Sequence, residues 1–257
     1  MIRTPSLRCA LSVWRRDLRL FSKLWRGTLL PPFLDPVVYF LALGFGLGAF
    51  VHSVNGIPYR DFIAPAMCAS ATLWASSFEA TFAFFWKMDH SHLHENILAT
   101  PVEPEDVVLG ELLWGATRAV IYATSFLVVI ALLGYVHSPW ALALPPFLFL
   151  GGLAFGALGL AYTVLIPRMD YFTFYFTLIV NPMFLFGGIF FPVDSLPEWA
   201  QAVAWLLPTE HLVSIARTLA GGEGSLMTVL GHSVWLVIAT TLVTLVPLYR
   251  YRRRMVA

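Results

Sequence analysis

Charged residues are scarce in this sequence. Only 12% of its 257 residues are Asp, Glu, Lys or Arg, whereas soluble domains carry about 25%, and 58% are hydrophobic. The mean hydropathy is +0.74. There are only two cysteines, Cys9 and Cys68, and their placement indicates neither a disulfide nor a metal site. This composition argues against a water-soluble globular fold.

The sequence also lacks the short motifs of several catalytic sites. It has no G-x-x-x-x-G-K-[ST] phosphate loop, no G-x-S-x-G elbow and no H-E-x-x-H pair. We therefore expect no catalytic residue, no cofactor and no metal ligand in this chain. We expect no cleavable signal peptide either, because the first apolar run starts near Phe33 and is long enough to cross a bilayer.

Long apolar runs are abundant. A helix needs about 20 apolar residues to cross the hydrocarbon layer. Six windows come close to that length, at 33–52, 62–86, 108–134, 140–166, 171–191 and 227–249. The sequence therefore predicts an all-α polytopic membrane protein with six transmembrane helices, formed by a single domain over residues 1–257.

The distribution of bases indicates the orientation of these spans. Residues 1–29 hold seven Lys or Arg and residues 250–254 hold four more, while Lys87 and Arg168 fall in loops on the same side. With both termini inside, thirteen of the sixteen bases are cytoplasmic. The positive-inside rule therefore predicts cytoplasmic termini and an even number of spans.

The segment 11–29 is too charged to span the membrane. Its apolar residues recur at helical spacing and its bases fill the remaining positions, which is typical of a helix lying in the membrane interface. We expect Trp14 and Trp25 to face lipid, and Arg15 and Arg19 to face headgroups. Binding of a soluble partner by this basic helix is the alternative.

Two predicted spans carry small residues four positions apart, Gly44 and Gly48 in the first and Gly152 and Gly156 in the fourth. Such pairs favour close helix contact in membranes. The first span is expected to begin at Asp35-Pro36, with the Asp as helix cap and the Pro at the first helical position.

The segment 191–222 is expected on the outer face. Ser195 and Glu198 have capping-box spacing, which predicts a helix of about eleven residues that stops before Pro208. Thr209 is expected to cap a second short helix that ends at Gly221 and Gly222. Both helices are too short to cross, so they are predicted to pack into the outer leaflet or to be re-entrant from it.

Two charges fall inside predicted spans, where they are costly and usually paired. Glu79 lies eight residues before Lys87 in the second span, and Arg118 lies seven residues after Glu111 in the third. Both therefore sit about 10–12 Å above the inner boundary of antiparallel neighbours. We predict a Glu79–Arg118 ion pair that locks the two spans; a charge lining a transport path alone is the alternative.

Aromatic residues are concentrated at the start of the fifth span. Tyr171, Phe174 and Tyr175 share one helix face. Such enrichment is typical of an interfacial belt, and contact with substrate is the alternative.

An acidic insert interrupts the apolar pattern. Residues 87–106 hold five acids and one base, a net charge of −4 that suits a basic protein surface. A short helix over about 90–99 is expected to end before Pro101, and the third span to begin near Asp106. His90 and His94 would share one helix face at i, i+4, beside Asp89, but a solvated polar face is favoured over a metal site because His92 points away from the other two.

Four stretches give the sequence a family resemblance. They are LDPVVYFLALGFGLG (34–48), FEATFAFFWKMD (78–89), DVVLGELLWGATRA (106–119) and DYFTFYFTLIVNPMFLFGGIFFPVDSLP (170–197). In this order they resemble the permease subunits of ABC-2 type exporters, and among these the nodulation-factor (lipo-oligosaccharide) exporter permeases. The His-rich stretch DHSHLHEN is not part of that pattern.

The resemblance implies a homodimeric permease in the bacterial inner membrane, docked on two copies of a separate ABC ATPase that holds the ATP and Mg²⁺. The loop between spans two and three, 87–106, then contains the coupling helix, and 191–222 holds short extracellular helices. We expect the ATPase-coupling residues to be His90, His94, Glu95, Asn96, Leu98, Thr100, Pro101 and Glu103.

The sequence thus predicts export of an amphipathic lipo-oligosaccharide or lipid-linked molecule, in contact with membrane lipid and without nucleic acid. The expected substrate path is formed by Tyr39, Phe40, Tyr171, Phe174 and Tyr175. Alternatives are an ABC-2 drug or antibiotic exporter permease and, more remotely, an intramembrane lipid-modifying enzyme or an ion channel.

Overall fold

The computed structural model describes residues 5–222 and 224–256, and the side chains of 26–33, 35 and 256 are outside the described set. The described chain is almost entirely helical. Its α-helices are α1 (Leu7–Leu41), α2 (Tyr59–Phe78), α3 (Leu93–Leu98), α4 (Pro104–Leu132), α5 (Leu144–Thr163), α6 (Phe172–Tyr175), α7 (Asn181–Phe186), α8 (Glu198–Trp205), α9 (Pro208–Gly221) and α10 (Leu226–Val256).

Shorter elements complete the chain. Two two-residue strands, β1 (Ser53–Val54) and β2 (Ile57–Pro58), form an antiparallel hairpin. Asn55 and Gly56 make its turn with φ of 53° and 83°, the left-handed conformation that Asn-Gly turns adopt readily. Single π-helical turns lie at Ala42–Gly46, Glu79–Ala83, Trp86–His90 and Phe176–Val180, and 3₁₀ turns at Leu47–Ala49, Pro139–Ala143, Met169–Tyr171 and Val193–Ser195.

The N-terminal region is one helix rather than two. The expected break between an interfacial helix at 11–29 and a span starting at Asp35-Pro36 is wrong, because α1 continues through both and includes Pro36. The side chain of Asp35 is outside the described residues. Close packing holds the first part of α1 along α4: a Cβ built on Gly110 lies only 2.6 Å from Cβ of Val13 and 2.7 Å from the carbonyl oxygen of Ala10. Tertiary contact of this kind overrides local stop signals.

Small residues bring α4 and α5 together at the centre. A Cβ on Gly152 meets Cα of Ala116 at 2.9 Å, and one on Gly156 meets Cδ1 of Leu112 at 2.9 Å. The Gly152–Gly156 pair therefore makes the close helix contact that its spacing predicts. A Cβ built on Gly44 or on Gly48 instead lies 3.8 Å from Cγ of Arg60.

Among the described residues, three helices are long and apolar enough to cross a membrane: Pro104–Leu132, Pro139–Thr163 and Leu226–Met255. Pro36–Ala49 is a shorter apolar helix. The predicted span at 62–86 is helical and that at 171–191 is helical as far as Phe186, and both are interrupted by π-helical turns. An all-α fold with membrane-spanning helices is confirmed, and the count of six remains a prediction.

The segment 191–222 contains two short helices, with starts that differ from the sequence prediction. The hydroxyl of Ser195 donates to the carbonyl of Pro192 at 2.7 Å, so it does not cap α8, which has eight residues rather than eleven. The second helix, α9, begins at Pro208 rather than after a Thr209 cap, since Pro is favoured at the first helical position. It ends at Gly221, and Gly222 has a φ of 81°.

Candidate functional site

The loop that precedes α4 folds around a very short helix. The π-helical turn Trp86–His90 is followed by Ser91 and then by His92, which has a left-handed φ of 49°. The helix α3 therefore starts only at Leu93. The helix has six residues, fewer than the ten expected over 90–99. Its exposed side consists of Glu95 and Asn96, followed in the next turn by Thr100 and Pro101, while Leu98 is partly buried.

His94 points into the protein and not toward solvent. Its ring is fully buried, lies 3.5 Å (Nε2) from Oε1 of Glu111, and packs edge-on against Phe84 and Tyr251. The expectation of a solvated face is therefore wrong for His94, and so is its expected role as a docking contact. His90 is exposed and stacks on the ring of Trp86.

Beneath α3 lies a cluster of six charges, here called the charged junction. Lys87 is central: its Nζ lies 2.6 Å from Oε2 of Glu111, 3.3 Å from Oε1 of Glu79 and 3.4 Å from Oδ2 of Asp17. The carboxylates are 2–3% exposed. The members are Asp17, Glu79 and Glu111 with Arg16, Lys87 and Arg118, so three negative charges meet three positive ones.

The junction contains the predicted ion pair between spans two and three, Glu79 and Arg118. Arg118 donates to Oε2 of Glu79, and the indole of Trp114 donates to Oε1 of Glu79 at 2.9 Å. Arg118 also donates to the hydroxyl of Tyr122 at 2.8 Å. The structure thus brings Glu79 and Arg118 together as the spacing predicts, and the locking role stays a prediction.

The sequence prediction missed that Lys87 belongs to this cluster. Eight residues of regular α-helix would leave Glu79 and Lys87 about 80° apart around the axis. The π-helical turn Glu79–Ala83 takes in an extra residue and rotates Lys87 back toward Glu79. A signal was available: Lys87 and Glu111 both mark the inner boundary, so the depth argument that pairs Glu79 with Arg118 pairs them too.

The N-terminal helix α1 contributes the third side of the junction. Nη2 of Arg16 lies 2.7 Å from Oδ1 of Asp17 and 3.1 Å from Oε1 of Glu111. Burial raises the pKa of Asp17 to about 6, and the nearby charge of Glu111 acts in the same direction, while Lys87 and Arg16 oppose it. The junction therefore connects α1, the end of the helical segment 59–90 and α4.

The predicted lipid-facing stripe of α1 is only partly exposed. The indole of Trp14 donates to Oγ1 of Thr117 at 3.0 Å, so Trp14 packs on α4 and the expectation that it faces lipid is wrong. Arg15, Arg19 and Trp25 are exposed, as an interfacial anchor requires. Arg15 and Arg19 line a basic groove on the surface of α1.

Most acids of the insert 87–106 are engaged within the chain. Nη1 of Arg252 lies 2.8 Å from Oε1 of Glu105 and 3.6 Å from Oε2 of Glu103. Nη2 of Arg254 lies 3.7 Å from Oδ1 of Asp89. The basic surface that the insert suits is therefore, in large part, the C-terminal end of α10. Glu103 is half-buried against it rather than free for a docking partner.

The remaining acids of the insert have separate positions. Asp106 accepts from the backbone N–H of Glu103 at 3.1 Å and of Ser6 at 2.6 Å, and so caps the start of α4. Glu95 is 59% exposed and contacts Nδ1 of His92 at 3.1 Å. Glu95 is thus the acid of the insert that the fold presents outward on α3.

The predicted path residues divide into exposed and buried ones. Tyr39, Tyr171 and Phe174 are exposed, whereas Phe40 and Tyr175 are each 1% exposed and belong to the core, so their expected role in lining a path is wrong for this protomer. Phe40 packs against Phe45, Phe126 and Tyr135, aromatic neighbours that sequence periodicity does not reveal.

An aromatic seam, which sequence reasoning missed, joins the first, second and fifth predicted spans. Phe176 contacts Phe78 at 4.7 Å between ring centroids and Trp74 at 5.9 Å. Phe184 contacts Tyr39 at 5.8 Å and Trp74 at 5.9 Å. The seam consists of Tyr39, Trp74, Phe78, Phe82, Phe176 and Phe184.

The family model described as ABC-2 type transporter matches residues 9–220, which include the junction, the insert and the seam. The chain belongs to the ABC-2 type transporter family. This chain is therefore a membrane permease of a family whose members work with an ATPase partner.

Several proteins are similar to this ABC-2 permease over most of their length. Nodulation protein J of Rhizobium leguminosarum bv. viciae is 38% identical over 213 residues, which cover 83% of this chain and 82% of that protein. Nodulation protein J of Rhizobium meliloti (strain 1021) is 39% identical over 213 residues, with 83% and 81% covered. The inner membrane transport permease YadH of Escherichia coli (strain K12) is 25% identical over 237 residues, with 90% and 91% covered.

Proposed function

We propose that this chain is the transmembrane subunit of an ABC exporter that moves an amphipathic, lipid-linked oligosaccharide outward through the bacterial inner membrane. Two copies pair as a homodimer and dock on two copies of a separate ABC ATPase, with both termini cytoplasmic. Family membership supports the transporter class, and the similarity to nodulation proteins supports the lipo-oligosaccharide cargo.

One observation carries the coupling mechanism: the two sides of α3 have opposite roles. Its outer side presents Glu95 and Asn96, and its inner side places His94 against Glu111 of the charged junction. A force applied to the outer side is therefore transmitted to the junction, which connects α1, the helical segment 59–90 and α4. Buried ion pairs with defined partners resist slipping better than an apolar contact does.

The first helix belongs to the same docking surface. A cleft of about 260 Å³ between α1 and the insert is lined by Ser12 and Arg16 on one side and by Asn96 and Thr100 on the other. An ATPase seated on α3 would thus touch α1 as well. Charge complementarity favours a partner surface with basic residues for Glu95 and acidic ones for the groove of α1.

The aromatic seam supports a path for an amphipathic cargo. Tyr39, Phe78 and Phe82 are 39–48% exposed within the protomer, on helices predicted as spans one and two. Aromatic faces contact both acyl chains and sugar rings, so a row of them suits a cargo with both parts. Facing copies of the seam in a homodimer would enclose the route.

An apolar groove between α7, α8 and α10 supports a lipid component. Its volume is about 610 Å³, and Leu178, Met183, Trp199 and Trp235 line it. Trp199 on α8 is 72% exposed, which fits a helix that rests in the outer leaflet. An acyl chain leaving the seam would find an apolar surface there.

A charge reversal on α3 tests the docking surface. We expect Glu95→Lys to lower the amount of ABC ATPase that co-purifies with the tagged chain from host membranes several-fold, because the outward acid then repels a basic partner. Glu198→Lys is the matched control, since it makes the same change at an exposed position of α8 on the predicted outer side. Equal ATPase recovery with Glu95→Lys and Glu198→Lys would show that α3 is not the dock.

The cargo is tested separately with the reconstituted complex. We expect ATP hydrolysis in proteoliposomes to rise with added lipo-oligosaccharide and not with the oligosaccharide or the fatty acid alone. Stimulation by hydrophobic drugs without an effect of lipo-oligosaccharide would instead identify a drug exporter.

A further inference from the structure

Three metal-ligating side chains converge where α9 meets α10. Glu210 and His211 are neighbours on α9, and His232 lies nearly two turns into α10, which starts at Leu226. One oxygen of Glu210 and one ring nitrogen of each His all lie within 4.8 Å of one another. This cluster takes no part in the junction, the docking surface or the seam.

The hydrogen bonds around the two His rings orient both rings and set the tautomer of His211. Nε2 of His211 donates to the backbone carbonyl of Trp205 at 2.8 Å, which leaves the lone pair of its Nδ1 facing the cluster. Nδ1 of His232 faces the same point, 2.6 Å from Nδ1 of His211, and its Nε2 lies 3.0 Å from Oγ of Ser214. Each ring thus turns Nδ1 inward and holds Nε2 on an oxygen, the arrangement that orients metal-bound imidazoles.

The carboxylate of Glu210 supplies a third donor atom. Its Oε2 lies 3.5 Å from Nδ1 of His211 and 3.8 Å from Nδ1 of His232, and it is buried with no hydrogen-bond partner within the described residues. One carboxylate oxygen and two ring nitrogens, from two helices, thus face the same point.

We propose that Glu210, His211 and His232 bind a Zn²⁺ ion. Two imidazoles and one carboxylate are a ligand set that zinc takes at 2.0–2.2 Å with a fourth position left open. Tetrahedral bonds of that length separate two nitrogens by about 3.3 Å, so the rings move apart slightly as the ion enters. Mg²⁺ and Ca²⁺ prefer all-oxygen ligands and do not fit this set.

The ion has an access route and a structural consequence. Glu210 and Ser214 line a cavity of about 530 Å³ together with the charged residues Asp61, Asp194 and Arg217, so the open fourth position faces a space that admits water. Because His211 is on α9 and His232 on α10, the ion fastens the short outer helix to the last long helix. Zinc at this position thus stabilises the segment 191–222 against α10.

Zinc binding is tested with the purified full-length chain after chelator treatment, addition of Zn²⁺ and removal of the excess ion. We expect one Zn²⁺ per chain by elemental analysis, a rise of the unfolding midpoint with added Zn²⁺, and a Co²⁺ derivative with the visible absorption of a tetrahedral site. His232→Gln and Glu210→Gln should each weaken Zn²⁺ binding by a factor of about 100 or more. Ser214→Ala, which removes only the support of His232, should weaken it about 10–100-fold.

Two control variants separate this site from other His residues. His137→Gln changes a half-exposed His that contacts Asp61 instead, and His90→Gln/His92→Gln removes the exposed His of the loop before α3. Both should keep the zinc. Absence of Zn²⁺ binding to the wild type, or unchanged binding by folded His232→Gln and Ser214→Ala, would overturn the proposal and leave a pair of His rings that share a proton.

Discussion

Replacing Lys87 with Met tests whether the charged junction depends on its central cation. Met keeps most of the side-chain length and removes the ammonium group that contacts the carboxylates of Asp17, Glu79 and Glu111. The junction then holds three negative charges against the two positive charges of Arg16 and Arg118. Water cannot solvate the excess charge, because these carboxylates are 2–3% exposed.

The expected loss follows from the cost of an uncompensated buried charge. Removal of one partner from a buried ion pair costs about 3–5 kcal/mol. Each kcal/mol shifts the unfolding midpoint of a chain of this size by about 2–4 °C. We therefore expect Lys87→Met to lower the midpoint by about 6–20 °C, measured from tryptophan fluorescence of the full-length chain in nanodiscs.

A second substitution separates charge balance from simple damage. Lys87→Met combined with Glu111→Gln returns the junction to two negative and two positive charges, and should recover more than half of the lost midpoint. Arg168→Met is the control, because Arg168 is 73% exposed and 3.8 Å from Asp170, a pair that contributes little. A midpoint for Lys87→Met within 2 °C of wild type, or a double variant that is less stable than Lys87→Met, would refute the charge-balance argument.

Three further predictions concern α1 and the C-terminal end. Gly110→Leu should lower the unfolding midpoint by about 2–12 °C, because overpacking costs about 1–3 kcal/mol, whereas Gly231→Ala, with no atom within 4 Å of the new Cβ, should not. Burial raises the pKa of Asp17 from 3.8 to about 6, so the contribution of this carboxyl to the free energy of unfolding rises by up to about 3 kcal/mol as the pH falls from 6 to 4. Unfolding midpoints measured across that pH range should show this contribution in wild type and not in Asp17→Asn. Arg252 contacts Glu103 and Glu105, so Arg252→Glu should repel these two acids. The distance measured between spin labels on α3 and α10 should then be longer and its distribution broader, and an unchanged distance would contradict the assigned contact.

Much of the fold follows from sequence because its signals are local. Apolar length predicts the helices at 104–132, 139–163 and 226–255. The four-residue spacing of Gly152 and Gly156 predicts a contact surface, and depth counted along straight helices predicts that Glu79 meets Arg118. These inferences need only the regular rise of a helix and the cost of burying charge.

The errors arise where a distant segment decides the local structure. The break expected at Asp35-Pro36 does not occur, since contact with α4 favours one continuous helix. The acids of the insert look available for a partner until the fold brings Arg252 beside them. His94 looks solvated beside His92, but a single left-handed residue turns α3 so that His94 faces inward.

The same reason explains why the His cluster at α9 and α10 escaped the sequence reading. His211 and His232 are 21 residues apart on different helices, a spacing that matches no short metal motif. By contrast, three histidines lie at alternate positions of one short stretch but diverge in space, namely His90, His92 and His94. Proximity along the chain is thus a poor guide to a metal site in a helical membrane protein, where ligands come from facing helices.

The charged junction is best explained by register rather than by stability. Apolar residues of similar volume would often stabilise the same helices as well as buried ion pairs do. Apolar helix faces can slide past each other at small cost, but a shift of α3 by one turn would move His94 away from Glu111, and a shift of α1 would separate Arg16 from the same carboxylate. A permease driven from its cytoplasmic side needs its helices to move together and not past one another. The three negative and three positive charges beneath α3 meet that requirement, because each position along the helices has one set of partners.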